Sequence, residues 1–341
     1  MNRDIKPSHK HYPLSIVKSN LRVRQERKND HIRPLSEFCF RADPEHGDKL
    51  VFTDDDHNTR TMTPTNTGWK QVCANLPYDD GKVIPWEFFL KGMTSDQRKS
   101  VFDRLSAKAD KKRLIRCQDD IMYGLVSPKY NPIDHNTIIP VLESANTAIV
   151  AVKGSHIGFD HGKFRFIREE DAEKVNASTA GGFSAKTHVP MVEFMNSENG
   201  LGSWKVRVGI YTFICTNGVI IGVELFGKRI VHLGNVDLEI PDIDSLWNLG
   251  AEWVERLHAA ESRYINIDDK SEILEAANKK GLTHEMLGNV VDVANREYNS
   301  GRTLGDTVNA FTRAAQMYRG NNIHKRTQIE TYAGEILRLA A

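Results

Sequence analysis

No run of about 18 apolar residues occurs in this 341-residue chain, which excludes a helix that spans a membrane. Net charge is nearly absent. The 46 Lys and Arg are matched by 45 Asp and Glu, so the molecule as a whole offers no electrostatic steering toward nucleic acid. Cysteine is scarce. Cys39, Cys73, Cys117 and Cys215 are far apart and form no Cys-x-x-Cys pair, so a zinc ribbon or dithiol redox motif is excluded. Scattered thiols of this kind fit a reducing cytoplasm, where each acts as a small buried hydrophobe. The N-terminal stretch lacks the continuous apolar core of a signal peptide, which also leads to the expectation of a cytoplasmic protein. No internal repeat is visible, which argues against a solenoid.

What is present falls into three parts. Residues 1–40 read as a basic arm, flexible alone or ordered on a partner: the first 36 hold nine Lys and Arg against Asp4, Glu26 and Asp30, with little apolar periodicity. Residues 41–241 read as an α+β core. There "TDDDHNTRTMTPTNTG" (53–68) is turn chemistry, because its aspartates lack the alternation and distant Glu of a calcium loop. Trp69, Val72, Cys73 and Leu76 share one helical face that Pro77 ends, and Thr94 or Ser95 caps the next long helix. From Leu114 the period changes to strands, with a turn at Gln118–Asp120. Residues 242–341 are helical, with Thr283 as a cap and Thr303-x-x-Asp306 as a variant capping box. The fold class expected is α+β: an antiparallel-type sheet core, an N-terminal helical region and a helical C-terminal region.

Chemistry is harder to find. "STAGGFSAKTH" (178–188) is not a phosphate loop, since Lys186 does not follow a glycine and a strand follows instead of a helix. His156, Asp160 and His161 lie in a turn with no third strong ligand nearby, so no metal or other cofactor is expected. No Gly-x-Ser-x-Gly or His-Glu-x-x-His occurs, and no carboxylate pair is forced together, so no catalytic residue is assigned. "FICTNGVIIG" (213–222) invites a nucleophile reading of Cys215. Its β-branched neighbours favour burial instead, and Asn217-Gly218 is the signal of a type I′ hairpin turn. Basic residues do gather on the expected strands. Arg113, Arg116, Lys129, Lys205, Arg207, Lys228 and Arg229, with Tyr123, Tyr130 and Tyr211 between them, would suit a face that neutralises phosphates and stacks bases. Lys205, Arg207, Tyr211, Lys228 and Arg229 lead that expectation, supported by Arg113, Arg116 and Lys129.

The segment order is that of a known group. "WKQVCANL", "LIRCQDDIMYGLVSPKYNPIDHNTIIPVLE", "VGIYTFICTNGVIIG" and "LGDTVNAFTRAAQMYRGNNIHKRTQIETYAGEIL" resemble the phage/plasmid-like protein family known as domain of unknown function 932. The likeness spans about 64–338, and its most specific parts are Ser127, Tyr130, Ile133 and Asp134 and the Cys-Thr-Asn-Gly stretch. It implies a mobile-element protein in bacterial cytoplasm and transfers no catalytic residue. Together with the basic strands it leads to a non-enzymatic protein that binds single-stranded DNA, as an annealing or recombination accessory. The alternative is a protein-interaction factor, such as an inhibitor of host defence or an assembly component, docking a host or phage protein or a second copy of itself through the helical region. A metal-dependent nuclease using Asp119 and Asp120 is a third, weaker reading.

Overall fold

The computed structural model describes residues 12–78, 82, 84–152, 155–180, 187–214, 217–223, 242–298, 300–318 and 323–338. In chain order they form β1 (Tyr12–Pro13), α1 (Leu14–Glu26), β2 (His31–Pro34), β3 (Cys39–Arg41), β4 (Lys49–Thr53), β5 (Thr59–Pro64), α2 (Asn66–Asn75), α3 (Trp86–Lys91) and α4 (Ser95–Ser106). Next come β6 (Lys112–Gln118), β7 (Ile121–Val126), α5 (Ile138–Glu143), β8 (Ile149–Ala151), β9 (His156–Ile157), β10 (Gly162–Arg168), α6 (Glu169–Ala180), β11 (Thr187–Asn196), β12 (Lys205–Ile214) and β13 (Asn217–Val223). The chain ends in α7 (Ile243–Ser262), α8 (Ile267–Lys279), α9 (His284–Glu297), α10 (Leu304–Ala315) and α11 (Ile323–Arg338). No described helix is long and apolar enough to cross a membrane.

The strands make two sheets, so the α+β class holds. One is antiparallel in the order β1-β8-β10-β11-β12-β13, with β9 also pairing β10. The other runs β2-β6-β7-β5-β4-β3 and is mixed, because β5 and β7 are parallel. The second sheet packs on α2, α3 and α4. Trp69, Val72, Cys73 and Leu76, the face read from the sequence, are all buried there with Phe40, Phe52, Phe89 and Phe102. Thr94 is the cap of α4: it accepts from the Gln97 amide while the Gln97 side chain accepts from the Thr94 amide. Thr283 and Thr303 cap α9 and α10 as expected.

In the first sheet alternation assigns two faces. Phe164, Phe166, Val192, Phe194, Val206 and Val208 point to one side, where α1, α5 and the first half of α7 cover them. Ile210 continues that side into the helical core of α7 to α11. The other side carries Lys163, Arg165, Glu193 and Arg207, and it too is buried. Arg165 donates to Glu193 (2.5 Å) and to Glu330 of α11 (2.9 Å), and Lys163 lies 3.2 Å from Glu193.

Residues 12–40 are built into both sheets rather than forming a separate arm. Helix α1 is anchored by only Val17 and Leu21, one turn apart, too few for visible periodicity, while Leu35, Phe38 and Phe40 enter the core of the second sheet. Their positive charge is answered from distant parts of the chain. Lys18 meets Glu143 at 2.6 Å, Lys28 meets Asp134 (2.9 Å) and Glu198 (2.8 Å), Arg27 donates to Asp119 (3.1 Å), and Arg33 pairs with Asp55. The same segment closes a polar seam between the sheets. Arg116 is fully buried between Asp30 (2.8 Å) and Asp134 (2.6 Å), and it also donates to the Glu198 carbonyl (3.0 Å). Gln71 of α2 donates to the Asn199 carbonyl and accepts from the Leu125 amide, tying β7 to the loop after β11.

The hairpin expected around Asn217-Gly218 exists, with a different register. Ile214 pairs with Asn217 and Phe213 with Gly218, so the Asn-Gly pair begins β13 and the connection falls at 215–216. This register sets Val208 opposite Val223 and Ile210 opposite Ile221. A register fixed along seven residue pairs outweighs the local turn preference of two residues. Cys215 itself lies outside the described residues.

Candidate metal centre

Among the described residues, those expected to form a basic nucleic-acid face do not share one. Arg116 is locked in the polar seam between the sheets. Arg207 is buried, with a guanidinium nitrogen 3.8 Å from Glu193, and Tyr211 is fully buried beside Met191 and Val189 with its hydroxyl pushed up to about 12 by burial. Tyr123 is fully buried and stacks on Phe159, and Tyr130 is buried and donates to the Ser197 carbonyl. Lys205 and Arg113 are half-buried and Lys129 is exposed, and they lie on different sheets or loops. Lys228 and Arg229 lie outside the described residues. The physical reason is coverage: both faces of the first sheet are packed, so an arginine that alternates with valine here meets a carboxylate rather than solvent.

Asp119 and Asp120 line a polar cleft of about 290 Å³ with Asn29, His31, Thr59 and Arg60. The Asp119 carboxylate is engaged by Arg27, which leaves little ligand capacity for an ion. Asp160 accepts from Thr67 (2.8 Å) and Asn199 (2.6 Å), so its carboxylate ties α2 to the loop after β11.

Donors converge elsewhere. Among the described residues, one group of His, Cys, Asp and Glu side chains brings three donor atoms within 4.8 Å of one another: His188, His258 and Glu261. His188 opens β11, on the same side as Pro190 and Val192, and so faces α7. His258 and Glu261 lie three apart on α7, hence on one helical face. His188 Nε2 is 3.2 Å from Glu261 Oε1, and the two imidazole centroids are 5.5 Å apart. Around a tetrahedral zinc, with bonds of about 2.0–2.1 Å, donors sit about 3.4 Å from one another. His188 and Glu261 already match that spacing. His258 is exposed and can close the rest of the distance by side-chain rotation.

Two glycines set the approach of the elements. A Cβ on Gly250 of α7 would lie 2.8 Å from Pro190 Cβ, two residues along β11 from His188. A Cβ on Gly305 of α10 would lie 2.7 Å from Glu261 Cγ and 2.8 Å from its Cα and amide nitrogen. Helix α7 is therefore seated closely against β11 on one side and against the start of α10 on the other, and the three ligands inherit that precision. Two nitrogens and one carboxylate oxygen suit zinc, iron(II) or a similar ion. They do not suit magnesium or calcium, which want oxygen alone. Three protein ligands leave a fourth position for water or another ligand.

The sequence held half of this signal, His258-x-x-Glu261 on a helix. The third ligand lies 73 residues from Glu261, beyond any spacing rule. No family model, curated protein or solved structure matches the chain.

Proposed function

We propose that this chain is a metalloprotein that binds one divalent transition-metal ion through His188, His258 and Glu261 and keeps one coordination position open. The convergence of those three donors within 4.8 Å, from a strand and a helix, carries the reading. The partly exposed position of Glu261 and the exposure of His258 place the centre at the surface, where a ligand can reach the ion. The likeness to the phage/plasmid-like family supports a mobile-element setting for such a protein.

Calorimetric titration with zinc tests this. One ion per chain binds the native protein, and His258→Ala or Glu261→Gln weakens binding at least tenfold, about 1.4 kcal/mol. Cobalt(II) gives the visible bands of a low-coordinate N/O site, and excess magnesium does not displace it. Binding stabilises the fold in proportion to the logarithm of ion concentration, since unfolding disperses the ligands. Equal zinc affinity in wild type and both variants would overturn the assignment.

A further inference from the structure

We infer that the polar cleft beside Asp119 and Asp120 holds a soft-metal site, in which Cys117, Met62 and His31 bind one copper(I) ion. This site shares no residue with the centre at His188, His258 and Glu261, and it stands or falls apart from it.

The cleft is lined by residues of three strands, among them His31 of β2, Met62 of β5 and Cys117 of β6. Strand pairing puts the three side chains on one face of the second sheet. His31 stands opposite Ile115, and Asn29 donates to the Cys117 carbonyl (3.2 Å), so Cys117 is the diagonal neighbour of His31. The His31 ring also packs edge to face against Phe52, with 4.9 Å between centroids. Phe52 stands opposite Arg60, two residues from Met62. Phe52, Met62, Ile115 and Cys117 belong to one core cluster, and His31 meets it at the cleft. The two sulfurs touch: the Cys117 thiol donates to the Met62 thioether at 3.7 Å.

Metal–sulfur bonds of about 2.3 Å hold two sulfurs about 3.8 Å apart around a tetrahedral ion and about 4.0 Å apart around a trigonal one. The sulfur contact already has that spacing. Diagonal neighbours on paired strands lie about 7–8 Å apart, a gap that an imidazole and a thiolate span through one ion. The His31 ring is half-buried, and among the described residues no hydrogen bond engages it. Burial, and after it the Arg60 charge, lowers its pKa, so at pH 7 the ring is neutral and carries an open lone pair.

The donor set and the local charge select the ion. A thiolate with a thioether favours copper(I) over harder divalent ions. On binding, the Cys117 S–H bond breaks, its proton passes to water and an S–Cu bond forms. The ion enters and stays as copper(I), so no electron moves. Copper(I) on one thiolate is neutral, as the thiol was. Zinc would leave a net charge beside two buried sulfur residues, which is costly. The charges around the site are already matched: Arg27 pairs with Asp119, Arg60 with Asp54 and Arg116 with Asp30. A neutral copper–thiolate unit leaves those pairs intact.

The test is anaerobic transfer of copper(I) from its coloured bicinchoninate complex to the 341-residue protein. Excess zinc occupies nitrogen and oxygen ligands elsewhere, and Cys39→Ser and Cys215→Ser remove competing thiols from the starting protein. One copper ion per chain is expected. Met62→Leu conserves side-chain volume, and it and His31→Gln each lower the affinity at least tenfold. Cys117→Ser lowers it further, and should that variant fail to fold, the other two decide. X-ray absorption at the copper edge shows two sulfurs and one nitrogen around the ion. No transfer to the starting protein, or unchanged affinity in Met62→Leu or in His31→Gln, overturns the inference. A loss confined to Cys117→Ser marks a lone thiol and overturns it as well.

Discussion

Replacing Arg116 with methionine isolates the polar seam between the sheets. Methionine keeps most of the stem and removes the charge. The guanidinium is fully buried between Asp30 and Asp134, so the change leaves two carboxylates in a low-dielectric site. Asp134 retains Lys28 at 2.9 Å and remains ionised. Asp30 does not fare as well. Burial already raises its carboxyl above the ordinary range, against Arg116, which pulls the other way. Without Arg116, Asp30 takes up a proton. Protonating an ordinary carboxyl at pH 7 costs about 4 kcal/mol, which caps the penalty from that group. Allowing for the lost hydrogen bond to Glu198, the loss is about 3–5 kcal/mol, the usual range for breaking a buried ion pair. The pH dependence gives the sign. In the variant Asp30 binds its proton in the native state and not in the unfolded state, so stability falls as pH rises from about 5 to 7. In the wild type Asp134 works in the opposite sense. Burial alone would raise its carboxyl, but Arg116 and then Lys28 hold it down to about 2, so its contribution is present above pH 4 and is lost between about 4 and 2. Urea unfolding at several pH values therefore shows a gap between variant and wild type that is widest near neutrality and narrows on acidification. A gap below 1 kcal/mol, or one that does not change between pH 5 and 8, would refute the electrostatic account of the seam.

Gly305→Ala places a methyl carbon against the backbone of Glu261, so α10 must shift. Zinc affinity should fall roughly tenfold and stability by about 1–3 kcal/mol, and an unchanged zinc isotherm would show that α10 does not position the ligand. Alkylation mapped by mass spectrometry should label Cys39, which is exposed, in the native protein. Cys73, its thiol pushed up to about 12 by burial, and buried Cys117 should label only after denaturation, and native labelling of Cys73 would contradict the packing of α2.

Local structure was readable where local rules suffice. The α2 face, the threonine caps of α4, α9 and α10, and the turn after Gln118 each depend on residues within one or two turns of chain. The fold class followed from the switch between helical and strand periods. The β12–β13 register differs from that expectation because it is decided along seven residue pairs rather than at the Asn-Gly pair. The integration of residues 12–40 was hidden for a different reason. Its apolar anchors, Val17, Leu21, Leu35, Phe38 and Phe40, follow no single period, and the acids that hold its cations, Asp119, Asp134, Glu143 and Glu198, come from widely separated segments.

Topology also explains why charge on a strand misled and histidine on a helix did not stand out. Lys205 and Arg207 alternate with Val206 and Val208, a pattern that reads as a wet face only if nothing covers that face. Arg207 meets Glu193 of the neighbouring strand, and Glu330 joins the cluster from α11, 165 residues beyond Arg165. Burying such charges is tolerable only because each carboxylate answers more than one cation, and that matching is a property of topology, not of spacing. The metal ligands obey the same logic. His258 and Glu261 are neighbours by helical geometry, and His188 joins them because Gly250 lets α7 settle on Pro190 two residues from it. A small residue on a helix marks where that helix comes closest to its neighbour, so Gly250 and Gly305 in this chain point to the centre more directly than any of its exposed cations do.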